Sequence, residues 1–157
     1  MVAMSLKTAL GFFCVLMEES DLPGIPAILL SRLCVLVDRE TLAHSCRVAR
    51  LGVGLGRELG LDDETLRIIY VGGVLHDIGK GTVPKEILCK AGSLLPEERA
   101  RVEEHAAAGV RLLLEAAPSV SAEVVDIVHH HHERLDGSGY PDRLKGAQIP
   151  TATRVIA

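Results

Sequence analysis

Aromatic residues are scarce in this chain: two Tyr, two Phe and no Trp, 3 % of the whole. The stacking platforms on which single-stranded nucleic acid rests are therefore almost missing. Positive charge is not in excess either. Lys and Arg number 17 against 21 Asp and Glu, a formal charge of −4, so no general basic field exists to hold a duplex, and no nucleic-acid polymer is expected as a partner. The four cysteines, Cys14, Cys34, Cys46 and Cys89, include no C-x-x-C pair, which excludes a zinc knuckle and gives no disulfide scaffold. Isolated in this way they read as small buried hydrophobes in a reducing cytoplasm. The apolar run Ala9 to Met17 is nine residues long, too short for about 30 Å of hydrocarbon, and no cleavage-site pattern follows it. Neither membrane insertion nor export is expected.

Strict alternation of apolar and polar residues is absent as well, so no strand is predicted. What is present is helical periodicity in a 157-residue chain that is 48 % hydrophobic and 24 % charged, suited to one globular domain. The segment Leu22 to Pro26 (LPGIP) separates a lead-in, residues 1–26, from a domain over 27–157. Helices are expected at about 27–60, 63–80, 96–116 and 120–134, with a short one beginning near Thr151. Asp62, Asp63 and Glu64 suit a helix N-terminus, Lys80-Gly81 a C-terminal end, and Pro96-Glu97-Glu98 a helix start. The expected class is all-α.

Within each helix, residues three and four apart define an inward stripe, and polar groups fall on those stripes. Leu29, Leu33, Leu36, Glu40, His44, Val48 and Leu51 share one line. Leu66, Tyr70 and Gly73 lead to Asp77, with His76 beside it, and Gly72-Gly73 permits close approach of a neighbouring helix. Val102, His105, Gly109 and Leu112 form a third stripe, and Val124, Val128, His131 and Leu135 a fourth, with His132 adjacent. Burying such groups unpaired costs several kcal/mol each, more than a domain of about 5–15 kcal/mol net stability absorbs repeatedly. A shared metal cluster is the collective partner that satisfies them, since imidazole and carboxylate suit iron, manganese and zinc. No thiolate lies on these stripes, which argues against structural zinc. Two or more ions about 3.5–4 Å apart, bridged by Asp77, would ready a hydroxide for attack. In the run His129 to His132, only His131 and His132 keep register with Val124 and Val128, so His129 and His130 are expected to face outward or to stand behind the ligands.

The residues Asp38-Arg39-Glu40-Thr41-x-x-His44-Ser45, His76-Asp77-Ile78-Gly79-Lys80, Pro84 with Ile87-Leu88, His105, and His131-His132-Glu133-Arg134-x-Asp136-Gly137-Ser138-Gly139-Tyr140-Pro141 together resemble the HD-GYP family, a branch of the HD-domain metal-dependent phosphohydrolases. The likeness covers about residues 30–157, and HDIGK followed by HHERLDGSGYP is a specific pairing. It implies an all-helical HD bundle holding two or three iron or manganese ions and a metal-dependent phosphodiesterase that hydrolyses cyclic di-GMP to pGpG or GMP. Carried over position by position, the metal ligands would be Glu40, His44, His76, Asp77, His105, His131 and His132. Asp77 and Lys80 would serve catalysis, and Asp38, Lys80 and Tyr140 would meet the substrate. Lys80, three residues beyond Asp77, is placed for a phosphate, with a solvated C-cap lysine as the plainer alternative.

Ala91, Leu95 and Leu135 depart from the family pattern, which has a Pro, a capping Thr and an aromatic there. Residues Ile149 to Ala157 resemble the segment that leads into V-A-D, whose aspartate, a further ligand, would fall at the third position beyond Ala157. The expectation is an HD fold lacking its last helices and the basic residues that usually grip the phosphates, with impaired turnover. Two other readings stay open: a non-catalytic HD-GYP module that binds and signals, and an HD phosphohydrolase acting on another nucleotide. Homodimerisation or a signalling partner is left open.

Overall fold

Asp38 sets the first helix boundary of the structure, a computed structural model that describes residues 33 and 35–157. Its backbone is extended, and its carboxylate accepts from the N–H groups of Glu40 and Thr41, both at 2.9 Å, and from the Thr41 hydroxyl at 3.0 Å. An N-cap of this kind contributes about 1 kcal/mol. Helix α1, Arg39–Glu58, therefore starts there, where one continuous helix over 27–60 was expected. Residues 33, 35 and 36 are helical ahead of the break. The lead-in 1–26, the first residues of the expected helix, Cys14 and Cys34 lie outside the described residues.

Helix α2, Asp63–Leu75, is capped by Asp62 through the Thr65 N–H at 2.8 Å. It ends before the predicted boundary, because His76 and Asp77 leave the helix for a 3₁₀ turn over Ile78–Thr82. Short helix α3, Lys85–Leu88, follows. Helix α4, Pro96–Glu103, starts with the Glu98 carboxylate accepting from the Leu95 N–H at 2.8 Å, which supplies half of the cap that a Thr would have given. Helix α5, His105–Ala116, follows a single turn residue, Glu104, that interrupts the expected 96–116 helix. Helix α6, Ala122–His130, is capped by Ser121 and stops short of residue 134. A loop carrying the Gly-rich segment, a 3₁₀ turn at Gly146–Gln148 and α7, Thr151–Ile156, complete the described residues, among which no strand occurs.

The core lies among α1, α2, α5 and α6, around Leu42, Ala49, Val53, Ile69, Val74, Leu75, Ile78, Leu113 and Val128. Small residues set the helix distances. A Cβ on Gly73 would stand 2.7 Å from the Ala49 Cα, and one on Gly72 would stand 2.5 Å from Ile127 Cδ1, so α2 sits tightly between α1 and α6, as Gly72-Gly73 predicted. The buried face of α1 differs from the expected one. It is Leu42, Ser45, Cys46, Ala49, Gly52, Val53 and Gly56, while Glu40, His44 and Leu51 are exposed. Close packing selected small side chains over the larger leucines, leaving Leu51, Leu55 and Leu59 on the outer side. Leu135, expected on the inward line of α6, is likewise exposed. Cys46 is buried as predicted, but Cys89 is exposed.

Candidate metal centre

Three helices deliver histidine and carboxylate to one point. His76 caps the C-terminal end of α2, Asp77 follows with φ −99° and ψ 9°, His105 opens α5, and His131 and His132 follow the last residue of α6. Gly79 makes the meeting of the first two elements feasible: a Cβ there would lie 1.9 Å from the His105 carbonyl oxygen and 2.6 Å from the Gly109 nitrogen. Only glycine lets the turn after Asp77 rest on α5. His105 is 0 % exposed and Asp77 1 %, and His76 and His131 are buried with them.

The hydrogen bonds fix which ring nitrogen faces inward. His76 Nδ1 lies 2.7 Å from the Gly73 carbonyl oxygen, His105 Nδ1 2.6 Å from that of Val102, and His131 Nδ1 3.0 Å from that of Val128. A carbonyl only accepts, so each Nδ1 carries the proton. In a neutral imidazole the Nε2 is then a bare lone pair. His105 Nε2 and His131 Nε2 stand 3.2 Å apart, and they lie 3.5 and 3.7 Å from Asp77 Oδ1. Burial lowers the pKa of all three imidazoles on this side: His105 to about 4 and His132 to about 3, with His131 moving the same way. These rings are neutral at physiological pH. Burial pulls the Asp77 carboxyl upward, but the groups packed against it, the Lys80 ammonium at 2.8 Å among them, outweigh it, so it stays ionised, well below the usual carboxylate range.

Bare lone pairs and an anionic oxygen thus point at one another, and Asp77 Oδ1 has no hydrogen-bond partner although it is buried. Such groups carry a desolvation cost unless a cation sits among them. The donor set fits a divalent metal. Asp77, His105, His131 and His132 offer ligand atoms all within 4.8 Å of one another, and so do His44, His76 and Asp77. Asp77 is common to both groups and divides its oxygens between them: Oδ1 faces His105 and His131, while Oδ2 lies 3.1 Å from His76 Nε2 and 2.8 Å from Lys80 Nζ.

The other residues singled out from the sequence stand around this centre in different ways. His44 reaches it from the exposed side of α1, its ring centroid 5.6 Å from that of His76. Glu40 is exposed and belongs to neither ligand group. Asp38 has both carboxylate oxygens engaged in capping α1. Lys80 pairs with Asp77. Tyr140 stacks on His132, with centroids 4.7 Å apart and planes at 24°, and burial pushes its phenol upward, so it stays neutral.

Sequence reasoning gave Glu133 no role. Its carboxylate is buried and accepts from the N–H groups of Asp142 at 2.7 Å and Leu144 at 3.1 Å, which folds the Gly-rich loop back against the end of α6. It also missed Arg99 and Arg143, which line an open groove of about 680 Å³ with Glu103, Gly139 and Tyr140. The basic side chains come from α4 and from the loop beyond Pro141, so no local run of charge announced them.

A family model described as HD domain matches residues 29–157. A cyclic di-GMP phosphodiesterase of Pseudomonas aeruginosa is 45 % identical over 120 residues, 76 % of this chain and 29 % of that protein. A 3′3′-cGAMP-specific phosphodiesterase of Vibrio cholerae is 40 % identical over 131 residues, 83 % of this chain and 30 % of that protein. The chain thus spans less than a third of the length of these two relatives. Among solved structures, the HD domain of the L. monocytogenes phosphodiesterase PgpH, in complex with cyclic di-AMP, shares the fold with a TM-score of 0.59 and 23 % identity, over 85 % of this chain and 70 % of that one. With His76-Asp77 at the convergence of its helices and the family match running through residue 157, the chain belongs to the HD domain family.

Proposed function

We propose that this chain is the catalytic part of a metal-dependent phosphodiesterase that opens cyclic di-GMP to pGpG and GMP. The observation that carries this reading is the set of Nε2 atoms of His76, His105 and His131 that face the buried, ionised Asp77, whose Oδ1 has no hydrogen-bond partner. His105, His131 and His132 would hold one divalent ion, iron or manganese by their N and O donors, and His44 and His76 a second, with Asp77 shared between them. Such ions, when bound, supply an activated hydroxide and neutralise charge developing on the phosphate.

The chain's own residues do the remaining work. The Asp77 carboxylate stays unprotonated, and Lys80, with one of its three N–H donors on Asp77 Oδ2, has two left for a phosphate oxygen. Tyr140 forms a flat wall between His132 and the groove, while Arg99 and Arg143 add local positive charge to a protein of net negative charge. A groove of this size accepts a dinucleotide. Asp38 contributes mainly by fixing the start of α1. No described helix is long and apolar enough to cross a membrane, and a cytoplasmic setting belongs to the same reading.

The 40 % identity to a 3′3′-cGAMP-specific enzyme favours a second reading, in which the mixed cyclic dinucleotide is the substrate. The test is a panel of cyclic di-GMP, 3′3′-cGAMP and cyclic di-AMP, each incubated with protein loaded with manganese or iron(II). Fastest consumption of cyclic di-GMP, with pGpG or GMP released, is expected. Preference for 3′3′-cGAMP selects the second reading, and no consumption of any of the three by loaded, folded protein overturns both.

A further inference from the structure

A second group of ligand atoms lies outside the centre just described. The last two residues of α6, His129 and His130, meet Asp142, which follows Pro141 in the Gly-rich loop. His130 Nε2 stands 2.9 Å and His129 Nε2 3.6 Å from the same oxygen, Asp142 Oδ2. The two rings lie 4.7 Å apart, and the three ligand atoms all fall within 4.8 Å of one another. A divalent ion bound to N and O ligands at about 2.0–2.2 Å holds neighbouring ligands about 3.0–3.5 Å apart. The observed separations bracket that spacing, so the site needs little rearrangement to close on an ion.

Two further observations concern how these rings are held. The Nδ1 atoms of both histidines are shut off from solvent and have no hydrogen-bond partner, so neither ring is oriented by a backbone carbonyl as His76, His105 and His131 are. Behind His130, on the side away from Asp142, the Asp126 carboxylate stands 3.5 Å from Nδ1. The negative charge of Asp126 beside His130 adds to that of Asp142 and favours a cation there. His130 has only 13 % of its side chain exposed, whereas Asp142 is half exposed, which leaves room for water to complete the coordination.

We infer that His129, His130 and Asp142 form a second, surface cation site for a zinc-class divalent ion, independent of the Asp77 centre. Binding there ties the loop that carries Tyr140 to the end of the helix that presents His131 and His132, so occupancy stiffens the wall of the groove. The inference does not depend on which nucleotide is cleaved, or on whether any is.

The test uses the full chain stripped of metal and titrated with zinc alone, with bound zinc counted after dialysis. A His130→Gln/Asp142→Asn double variant is expected to bind one zinc fewer than the parent, and an Asp77→Asn variant to keep that zinc. Cobalt(II) in place of zinc gives an absorption band from the surface site that persists in Asp77→Asn and is lost in the double variant. Should the double variant lose helix content by circular dichroism, Asp142→Asn alone, a change at an exposed side chain, is expected to weaken that zinc at least 10-fold. Equal zinc in the parent and in the folded double variant, or in the parent and Asp142→Asn where the single variant is the one used, overturns the site. Loss of the surface band in Asp77→Asn overturns its independence. Failure of the Asp77 centre to bind metal leaves the surface count unchanged, so the two readings fail separately.

Discussion

The two sides of the candidate metal centre are built by different rules. On the inner side, His76, His105 and His131 are buried, their Nδ1 atoms are tied to carbonyls one turn back, and Asp77 is sealed among them. On the outer side, α1 offers His44 from an exposed face. The inner side chains are held by these bonds, and His44 is free to adjust. Preorganised ligands give affinity, while exposed ones lose more entropy on binding. An ion at His105, His131 and His132 is therefore expected to bind more tightly than one at His44 and His76.

Changing Asp77 to Asn breaks both sides at once and has the largest expected effect. Turnover should fall at least about 100-fold, beyond what losing a supporting contact costs, as measured by product formation from loaded protein. Removing Glu133 tests the loop that walls the inner side. Its carboxylate accepts two backbone N–H bonds in a buried position, so Glu133→Ala should cost about 2–4 kcal/mol in denaturant unfolding, with faster hydrogen exchange at Asp142 and Leu144.

Acid should probe the inner side in metal-free protein. The folded pKa of His105 is about 4, below its ordinary 6.5, so the unfolded chain takes the proton first. The His105 contribution is full above pH 6.5, falls as pH drops toward 4 and levels off below, while His132, held near 3, extends the fall. His105→Leu should flatten that slope, as followed by thermal unfolding across the range, and should leave metal-free stability intact while abolishing the stabilisation by added manganese. On the outer side, His44→Ala should weaken only the second ion, by about 10-fold in manganese titration. The smallest effect belongs to Asp38→Ala, about 1 kcal/mol of stability from the lost cap. The backbone N–H of Thr41, outweighing mild burial, holds the Asp38 carboxyl below its ordinary 3.8, so this contribution is present above pH 3.8 and fades in stronger acid.

The inner side was legible in the sequence, and the outer side only in part. The α2, α5 and α6 stripes carry bulky apolar residues up to the histidines, so a period of three and four reaches His76, Asp77, His105 and His131 correctly. On α1 the same rule followed the leucines and put Glu40 and His44 inward, because hydropathy ranks Leu51 above Gly52. Packing instead chose Ala49, Gly52 and Gly56, whose small size admits α2. Contacts made by loops escaped altogether. Glu133 folds back nine and eleven residues ahead in the chain, and Asp142 reaches His130 across twelve, separations to which no helical period applies. The break at Asp38 was present in the sequence as an Asp followed by a Thr three positions on, a cap signal overridden by the apolar run before it.

The most direct test of a carboxylate shared between two ions is electron paramagnetic resonance of manganese-loaded protein. Two manganese ions joined through Asp77 are magnetically coupled. The expected spectrum contains the closely spaced lines of a coupled pair, lost in Asp77→Asn and reduced in His44→Ala. A spectrum of isolated manganese alone, the same in parent and Asp77→Asn, would contradict the shared centre.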